Sequence, residues 1–596
     1  MTSETVNPPP ASAAVTRPAK LHGRAFYESI GSPKYIVAPM VDQSEFAWRM
    51  LTRSFMSESE RPSVLAYSPM LHARLFADSQ KYRDSHFQPT RASMLPTTPD
   101  DDTPYLDGNA AIDRPLFVQF CANNPQALLE AAKLVAPYCD AVDLNFGCPQ
   151  GIARKGHYGA FLQEDQALVH SLVRTLHENL PIPVTAKIRI LDTKEETLAY
   201  ARNVLAAGAS ILTVHGRRRE QKGHLTGVAD WGYIRYLRDN LPPETVLFAN
   251  GNVLQHEDLQ RCLDATGADG VMSAEGNLSN PALFAAPPSP AVVGEEGGRE
   301  YWRGKDGRGG GGGGWRVDAV VRRYLDIMHR YVVGQEPPAR RALFVPGDDA
   351  SWLEDGGGGG GGRNNDNNTN NNNKPSRSAR MTSATAGPNF VAMQAHLFHL
   401  LRHLVTRHTD VRDALARSRL GDIAVYERIL DMVERKVAEG LLEYEATGGK
   451  SVEGEDDGRN GAYAKGSRGG GGEKEDEGEE EIVDDPDSSV ATVRRCKRPW
   501  WVVQPIVRPL PKEAMAKGAI SLSKKDKQKL AEESLLKKDE VEEKEDKATV
   551  RGPEDAAAAA AATNGQEANG DGTKTGHATE MLEKTTRFPD SNLVSG

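Results

Sequence analysis

The stretch Asp143 to Phe161, DLNFGCPQGIARKGHYGAF, decides how the chain is read. It opens as an apolar strand, Ala141 to Asn145, and turns at Gly147. Cys148 stands between Gly147 and Pro149, so its thiol sits on a rigid turn at a strand end, outside any core. A glycine-punctuated basic loop follows, Gly151 to Gly159 with Arg154, Lys155 and His157 inside it. Its make-up is that of a lid closing over an anionic ligand. A cysteine at a strand end is by itself more often a small packed hydrophobe. The functional reading rests on its neighbours elsewhere in the chain.

Working outward, short apolar runs recur at Tyr35 to Ala38, Val64 to Ala66, Leu116 to Phe120, Ala141 to Asn145, Val184 to Ile188, Ile211 to Val214, Val246 to Ala249 and Gly270 to Ser273. Helical patterns lie between most of them: Pro125 to Val135, Asp165 to Asn179, Lys194 to Ala207 and His256 to Ala265. Several open on Asp, Asn-Pro or Thr, residues that cap helix N-termini. Strand-then-helix units repeated this way over residues 31–286 predict a TIM barrel, with a doubly wound sheet as the second choice. Phe76 to Arg114, rich in Pro, Asp and Thr, has no place in the repeat and reads as a long surface loop.

Function in such a barrel concentrates at the C-terminal strand ends. These offer Pro39, Met40 and Val41, then Gln119, Asn145 with Cys148, Lys187, His215, Asn250-Gly251-Asn252 and Ala274-Glu275. Taken singly, each has a structural explanation: an ion pair, a satisfied histidine, a turn. Together, in barrel order, they match the needs of flavin mononucleotide. Turns at Asn250 to Asn252 and at Ala274 to Glu275 offer backbone N–H groups to a phosphate. Lys187 places a cation by the N1/O2 edge, Gln119 and His215 bond polar edges, and Pro39 to Val41 pack along the ring.

Composition bounds the rest. The chain of 596 residues carries 57 glycines and long single-letter runs, so one large domain and a smaller one is the expected count. No stretch approaches a membrane-spanning length of apolar residues. Five cysteines, Cys121, Cys139, Cys148, Cys262 and Cys496, fall in no paired spacing, which argues against a disulfide framework or a metal site and for a reducing compartment, cytoplasm or nucleus. Met1 to His22, poor in acids, leaves a mitochondrial transit segment as the second reading. The net charge of −10 opposes a nucleic-acid partner only superficially, because acids crowd into Glu473 to Asp487. Arg377 to Arg419 holds seven arginines against two acids, with four histidines besides. That cluster reads equally as a solvated helix face or as an RNA-facing one.

The motifs APM at Ala38 to Met40, VQF at Val118 to Phe120, DLNFGCP at Asp143 to Pro149, TAKIR at Thr185 to Arg189, VHGR at Val214 to Arg217 and FANGNV at Phe248 to Val253 resemble those of the tRNA-dihydrouridine synthases. The resemblance spans Tyr35 to Phe284. RKGHYGAFLQED and MSAEGNLSNPALF are similar to the eukaryotic branch acting on uridines 16 and 17 of the tRNA D-loop. It implies that NADPH or NADH reduces FMN, that flavin N5 delivers hydride to C6 of uridine, and that Cys148 protonates C5 as general acid. Asn145 then holds the uracil, while Arg154, Lys155, Arg217, Arg218, Arg219 and Lys222 are candidate tRNA contacts, although a salt-bridged surface loop explains the last four equally well. The target base has to be flipped into the barrel mouth.

A helical domain is expected over residues 315–446, interrupted by a structureless insertion at 354–385 and preceded by a Gly-rich linker at 287–314. The resemblance makes it a tRNA clamp, with His396, His399, Arg402, His403 and Arg407 as its candidate face. Residues 1–30 and 447–596 are expected to be disordered, apart from an ordered segment at 494–511 that packs back on the fold or touches RNA. The expected protein is monomeric, with no metal and no membrane. Two alternatives stay open: an FMN barrel enzyme acting on a free metabolite, as dihydroorotate dehydrogenases do, and a non-catalytic tRNA-binding protein.

Overall fold

Nine strands rich in Val, Ile, Leu and Phe build the scaffold: β1 (Tyr35–Val37), β2 (Val64–Tyr67), β3 (Leu71–His72), β4 (Leu116–Cys121), β5 (Ala141–Phe146), β6 (Val184–Arg189), β7 (Ile211–His215), β8 (Val246–Asn250) and β9 (Gly270–Ser273). The computed structural model of the chain describes residues 20–91, 103–222, 227–288, 297–303, 313–354, 383–452 and 498–504. The strands run in the order β2-β1-β9-β8-β7-β6-β5-β4-β3, and β2 also pairs with β4, which closes an eight-stranded parallel barrel. Strands β2, β4, β7 and β8 are buried at every residue, as expected of parallel strands covered on both faces. β3 is a short ninth strand beyond β4 that apolar runs did not predict.

Helices cover the barrel where the capping residues foretold. Asn124 accepts from Ala127 N ahead of Pro125–Val135, Asp165 caps Gln166–Asn179, and Thr193 with Glu196 forms a capping box on Lys194–Ala206. Each cap satisfies an otherwise orphaned N–H and fixes where the chain enters its helix.

The segment Phe76 to Arg114 is no surface loop. Helix Gln80–His86 lies within it, and Asp107 and Asp113 are completely enclosed. Arg49 of helix Phe46–Ser54 bonds Asp107 at 2.8 Å and Asp113 at 2.5 Å, and Arg53 reaches Asp113 at 2.8 Å. Buried arginines need carboxylates, and this segment supplies them. Residues 92–102 lie outside the described residues.

The disorder expected for residues 1–30 is also corrected in its described part. Helix Gly23–Ser29 buries Phe26 on Phe117 (5.9 Å between rings) and Tyr27 on Phe248 (5.8 Å), so an aromatic pair packs against barrel strands. In the expected 287–314 linker, Tyr301–Trp302 pairs antiparallel with Gly314–Trp315, and the preceding Arg299 and Glu300 pair with Asp348 and Arg323. Residues 289–296 and 304–312 fall outside the described ones, as do 355–382 of the expected insertion.

Beyond the barrel come helices Val317–Ile327, Ser383–Leu400, Arg402–Arg407, Thr409–Ala416 and Ile423–Ala446. They belong with the barrel to one compact unit, Met1–Arg219, Ala229–Ser451 and Arg498–Ile506. The second unit comprises Glu220–Val228, Val452–Lys497 and Val507–Gly596; among its described residues Lys222 N donates to Glu220 O at 3.0 Å. Of the expected ordered segment 494–511, residues 498–504 are described and pack on these helices: Trp501 is buried, Val317 N donates to Val502 O at 2.9 Å, and Arg407 lies 4.2 Å over the Trp501 ring.

Packing also consumes the histidine face. His396 is fully enclosed, stacked on Trp48 at 4.2 Å, with Nε2 2.9 and 3.0 Å from the two Glu45 oxygens. His399 Nε2 meets Gln43 Nε2 at 3.3 Å, and His403 N donates to Gln504 Oε1 at 2.7 Å. Of the expected face, His396 lies in the seam where helix Ser383–Leu400 joins the barrel, His399 and His403 are half-buried, and Arg402 and Arg407 are exposed.

Candidate active site

Register places the polar strand residues in rows across the barrel interior. Gln119 pairs with Asp143 and Asp143 with Thr185; Asn145 pairs with Lys187 and Lys187 with Thr213. Because side chains alternate along a strand, Asp143 and Asn145 share one face, as do Thr185 and Lys187. Gln119 Nε2 donates to Asp143 Oδ2 at 2.7 Å, and Thr185 Oγ1 donates to Asp143 Oδ1 at 2.6 Å. Asn145 Nδ2 donates to Gln119 Oε1 at 2.9 Å. Its own Oδ1 accepts from Gly147 N at 3.1 Å and Cys148 N at 2.8 Å. One end of the Asn145 amide is therefore anchored on Gln119 while the other holds the turn that carries Cys148.

Cys148 packs beside Cys121, Ala153 and Tyr158, with Met70 and Phe161 completing the patch. The basic loop expected to act as a lid is folded onto it: Gly151–Gly156 is a short helix with Ala153 buried, and Ala160 N donates to Cys148 O at 3.1 Å. Gly159, at φ +64°, lies so close that a Cβ would stand 2.8 Å from Cys148 O. No other residue fits that approach. Arg154 and Lys155 point outward and are exposed.

Lys187 Nζ donates to Asn250 Oδ1 at 3.0 Å, and Asn250 Nδ2 donates to Met272 O at 3.0 Å. Burial, with Arg189 alongside, pushes the Lys187 ammonium down to about 7, against the pull of Asp143 and Cys148. Burial likewise pushes the Asp143 carboxyl up to about 6. Across the rim, Arg217 Nη1 donates to His215 Nε2 at 3.0 Å and Arg217 Nη2 to Asn252 Oδ1 at 2.8 Å. Asn252 also closes on Ala229 through two bonds, at 2.9 and 2.8 Å. Gly251, at φ +115°, turns there with room for no side chain: a Cβ would meet Ala229 Cβ at 2.6 Å and Arg217 Nη1 at 3.4 Å.

The expected basic stretch after β7 divides. Arg217 is buried, 5 % exposed, and belongs to the His215 and Asn252 cluster instead of the surface. Arg218 pairs with Asp192, while Arg219 holds Glu164 and lies 5.2 Å over Phe161, which is the salt-bridged alternative. Lys222 belongs to the second unit. Pro39 and Ala274 are half-buried, Met40 is buried and Val41 is 56 % exposed; Glu275 is half-buried at the end of β9.

Residues 36–297 match the family model described as dihydrouridine synthase. The tRNA-dihydrouridine(16/17) synthase [NAD(P)(+)] of Saccharomyces cerevisiae is 46% identical over 397 residues, 67% of this chain and 72% of that protein. The chain belongs to the dihydrouridine synthase family. A relative of the same name from Schizosaccharomyces pombe is 39% identical over 495 residues, 82% of this chain and 92% of its own length. A mouse tRNA-dihydrouridine(16/17) synthase-like protein is 45% identical over 276 residues, 46% of this chain and 52% of that protein. This dihydrouridine synthase is an NAD(P)-linked oxidoreductase by that kinship.

Two charged residues bonded to this cluster escaped the reading of strand ends. Asp143 lies one turn of the pleat below Asn145, and Arg189, 8 % exposed, donates through Nε to Gly147 O at 2.7 Å. Their signal was present: a charge in an otherwise apolar strand, two residues from another polar one, in both DLN and KIR. Among the described residues no group of His, Cys, Asp and Glu is arranged to hold a metal.

Proposed function

We propose that this chain reduces the C5=C6 bond of uridine in the tRNA D-loop, at positions 16 and 17, to 5,6-dihydrouridine, with bound FMN and with NADPH or NADH as reductant. The observation that carries the reading is the juxtaposition of Cys148, pinned by Asn145, with Gln119 and Lys187 at one mouth of the barrel.

The donor set fits FMN. Arg217, His215 and Asn252, gathered at the Gly251 turn, make a cationic cluster suited to a phosphate. Lys187 stands ready for the N1/O2 edge, Gln119 is enclosed beside it between Asp143 and Asn145, and Pro39, Met40, Val41, Ala274 and Glu275 border the mouth. When bound and reduced, FMN supplies the hydride that goes to C6 of the uracil.

The remaining work falls to the chain. Cys148 gives its Sγ proton to C5, and the thiolate regains a proton from solvent. Asn145 keeps the thiol at the mouth by holding the N–H of its turn, and Lys187 stabilises the negative charge on the reduced partner. Arg154 and Lys155, exposed beside Cys148, suit tRNA phosphates. The test is direct: the purified protein should be yellow, oxidise NADPH over many turnovers when unmodified tRNA is added, and leave dihydrouridine at positions 16 and 17. Turnover with free uridine or with dihydroorotate, and none with tRNA, would overturn the reading.

A further inference from the structure

We infer that Asp143 is a positioning residue whose carboxylate sets the direction of a hydrogen-bond relay running through Gln119 and Asn145 to the backbone of Cys148. The relay has four links: Gln119 Nε2 to Asp143 Oδ2 at 2.7 Å, Asn145 Nδ2 to Gln119 Oε1 at 2.9 Å, and Gly147 N and Cys148 N to Asn145 Oδ1 at 3.1 and 2.8 Å. An ionised carboxylate only accepts and a backbone N–H only donates. With an acceptor fixed at one end and donors at the other, each amide between them has a single orientation.

Asp143 is suited to that task by its surroundings. It is completely buried, and its other oxygen accepts from Thr185 Oγ1 at 2.6 Å. Lys187, the cation facing it from β6, donates to Asn250 at 3.0 Å instead, so the carboxylate is held by neutral donors. Tyr67 of β2 also feels its charge. A buried carboxylate on an interior barrel strand is costly for stability alone. The relay gives it a purpose: it fixes the orientation of both amides and where the Cys148 turn sits.

The test exploits polarity. In Asp143→Asn the new amide can donate to Gln119 Oε1, which turns Gln119 Nε2 toward Asn145 and sets Asn145 Nδ2 against two N–H groups. Adding Gln119→Glu puts an acceptor-only group back in the middle, able to take one bond from position 143 and one from Asn145 Nδ2. In the full chain, exchange of the Gly147 and Cys148 amides should quicken about tenfold in Asp143→Asn, with iodoacetamide labelling of Cys148 changing by a similar factor, the scale of one buried charge-assisted bond. The double variant should return both to within about twofold of the wild type, while turnover falls in Asp143→Asn with KM for tRNA little altered.

Exchange and labelling as in the wild type for Asp143→Asn would overturn the role. So would a double variant that melts like the wild type and still exchanges fast, since packing or bare charge would then be the cause. The link to proton delivery rests on the reading of Cys148 as the acid, but these two measurements report the turn without requiring turnover. That reading fails separately, if Cys148→Ala remains active.

Discussion

Asn145 Oδ1 accepts the backbone N–H of Cys148 at 2.8 Å, so the residue that begins the turn also anchors its far side. Asn145→Ala removes the acceptor and leaves two N–H groups of the turn without it. Turnover should fall roughly 10- to 100-fold, the equivalent of about 1–3 kcal/mol. Asn145→Asp keeps the acceptor and should lose less. Steady-state NADPH oxidation with unmodified tRNA checks the order; equal losses in the two variants would contradict it.

The Arg49, Arg53, Asp107 and Asp113 cluster joins the first barrel helix to the segment before β4. Arg49→Met takes the arginine from enclosed Asp107 and leaves Asp113 to Arg53 alone, which should cost roughly 3–5 kcal/mol of stability. Thermal and urea unfolding of the flavin-free protein read this directly. A midpoint unchanged from the wild type would mean the pairs contribute no net stability.

That cluster also shows what a one-dimensional reading can reach. Strand runs and caps were legible because each depends on residues a few positions apart: Thr193 and Glu196 cap their own helix, and Ile211 to Val214 needs no partner to look apolar. The polar residues at the barrel mouth were legible for the same reason, since each of the eight barrel strands ends within one residue of its apolar run. Asp107 and Asp113 were misread because their partners lie 58 to 64 residues away, and an acid-rich stretch without them looks solvated. His396 was misread likewise: its partners Glu45 and Trp48 are more than 300 residues distant. Arg217 looked like surface because Arg218 and Arg219 follow it, although alternation alone turns it inward toward His215.

Burial and the Arg189 charge push Lys187 from 10.5 to about 7. The unfolded chain therefore holds this proton through a window where the folded chain has lost it. From Lys187 alone, stability should rise with pH between about 7 and 10, and Lys187→Met should flatten that slope. Reduced flavin, being anionic, should restore the cation: calorimetry at pH 8 in buffers of different ionisation heat should show uptake of about one proton on binding, absent in Lys187→Met. Identical proton uptake in both proteins would refute the assignment.

Trp501 is enclosed by the helices beyond the barrel, beneath Arg407 at 4.2 Å. Trp501→Ala should destabilise this part by about 3–5 kcal/mol, as expected for emptying so large a buried site. Proteolysis in a urea series, followed by mass spectrometry of the Ile423–Ala446 helix, should show earlier cleavage. Cleavage at the wild-type urea concentration would show that residues 498–504 merely rest on the surface.

The claim on which the rest depends is that Cys148 delivers the proton to C5. Single-turnover oxidation of the pre-reduced protein by unmodified tRNA isolates that step from flavin reduction. Cys148→Ala should slow it by roughly 100-fold or more, with reduction by NADPH and tRNA affinity both within about twofold of the wild type. Wild-type reoxidation in Cys148→Ala, or an equal loss of tRNA affinity and rate, would contradict the account.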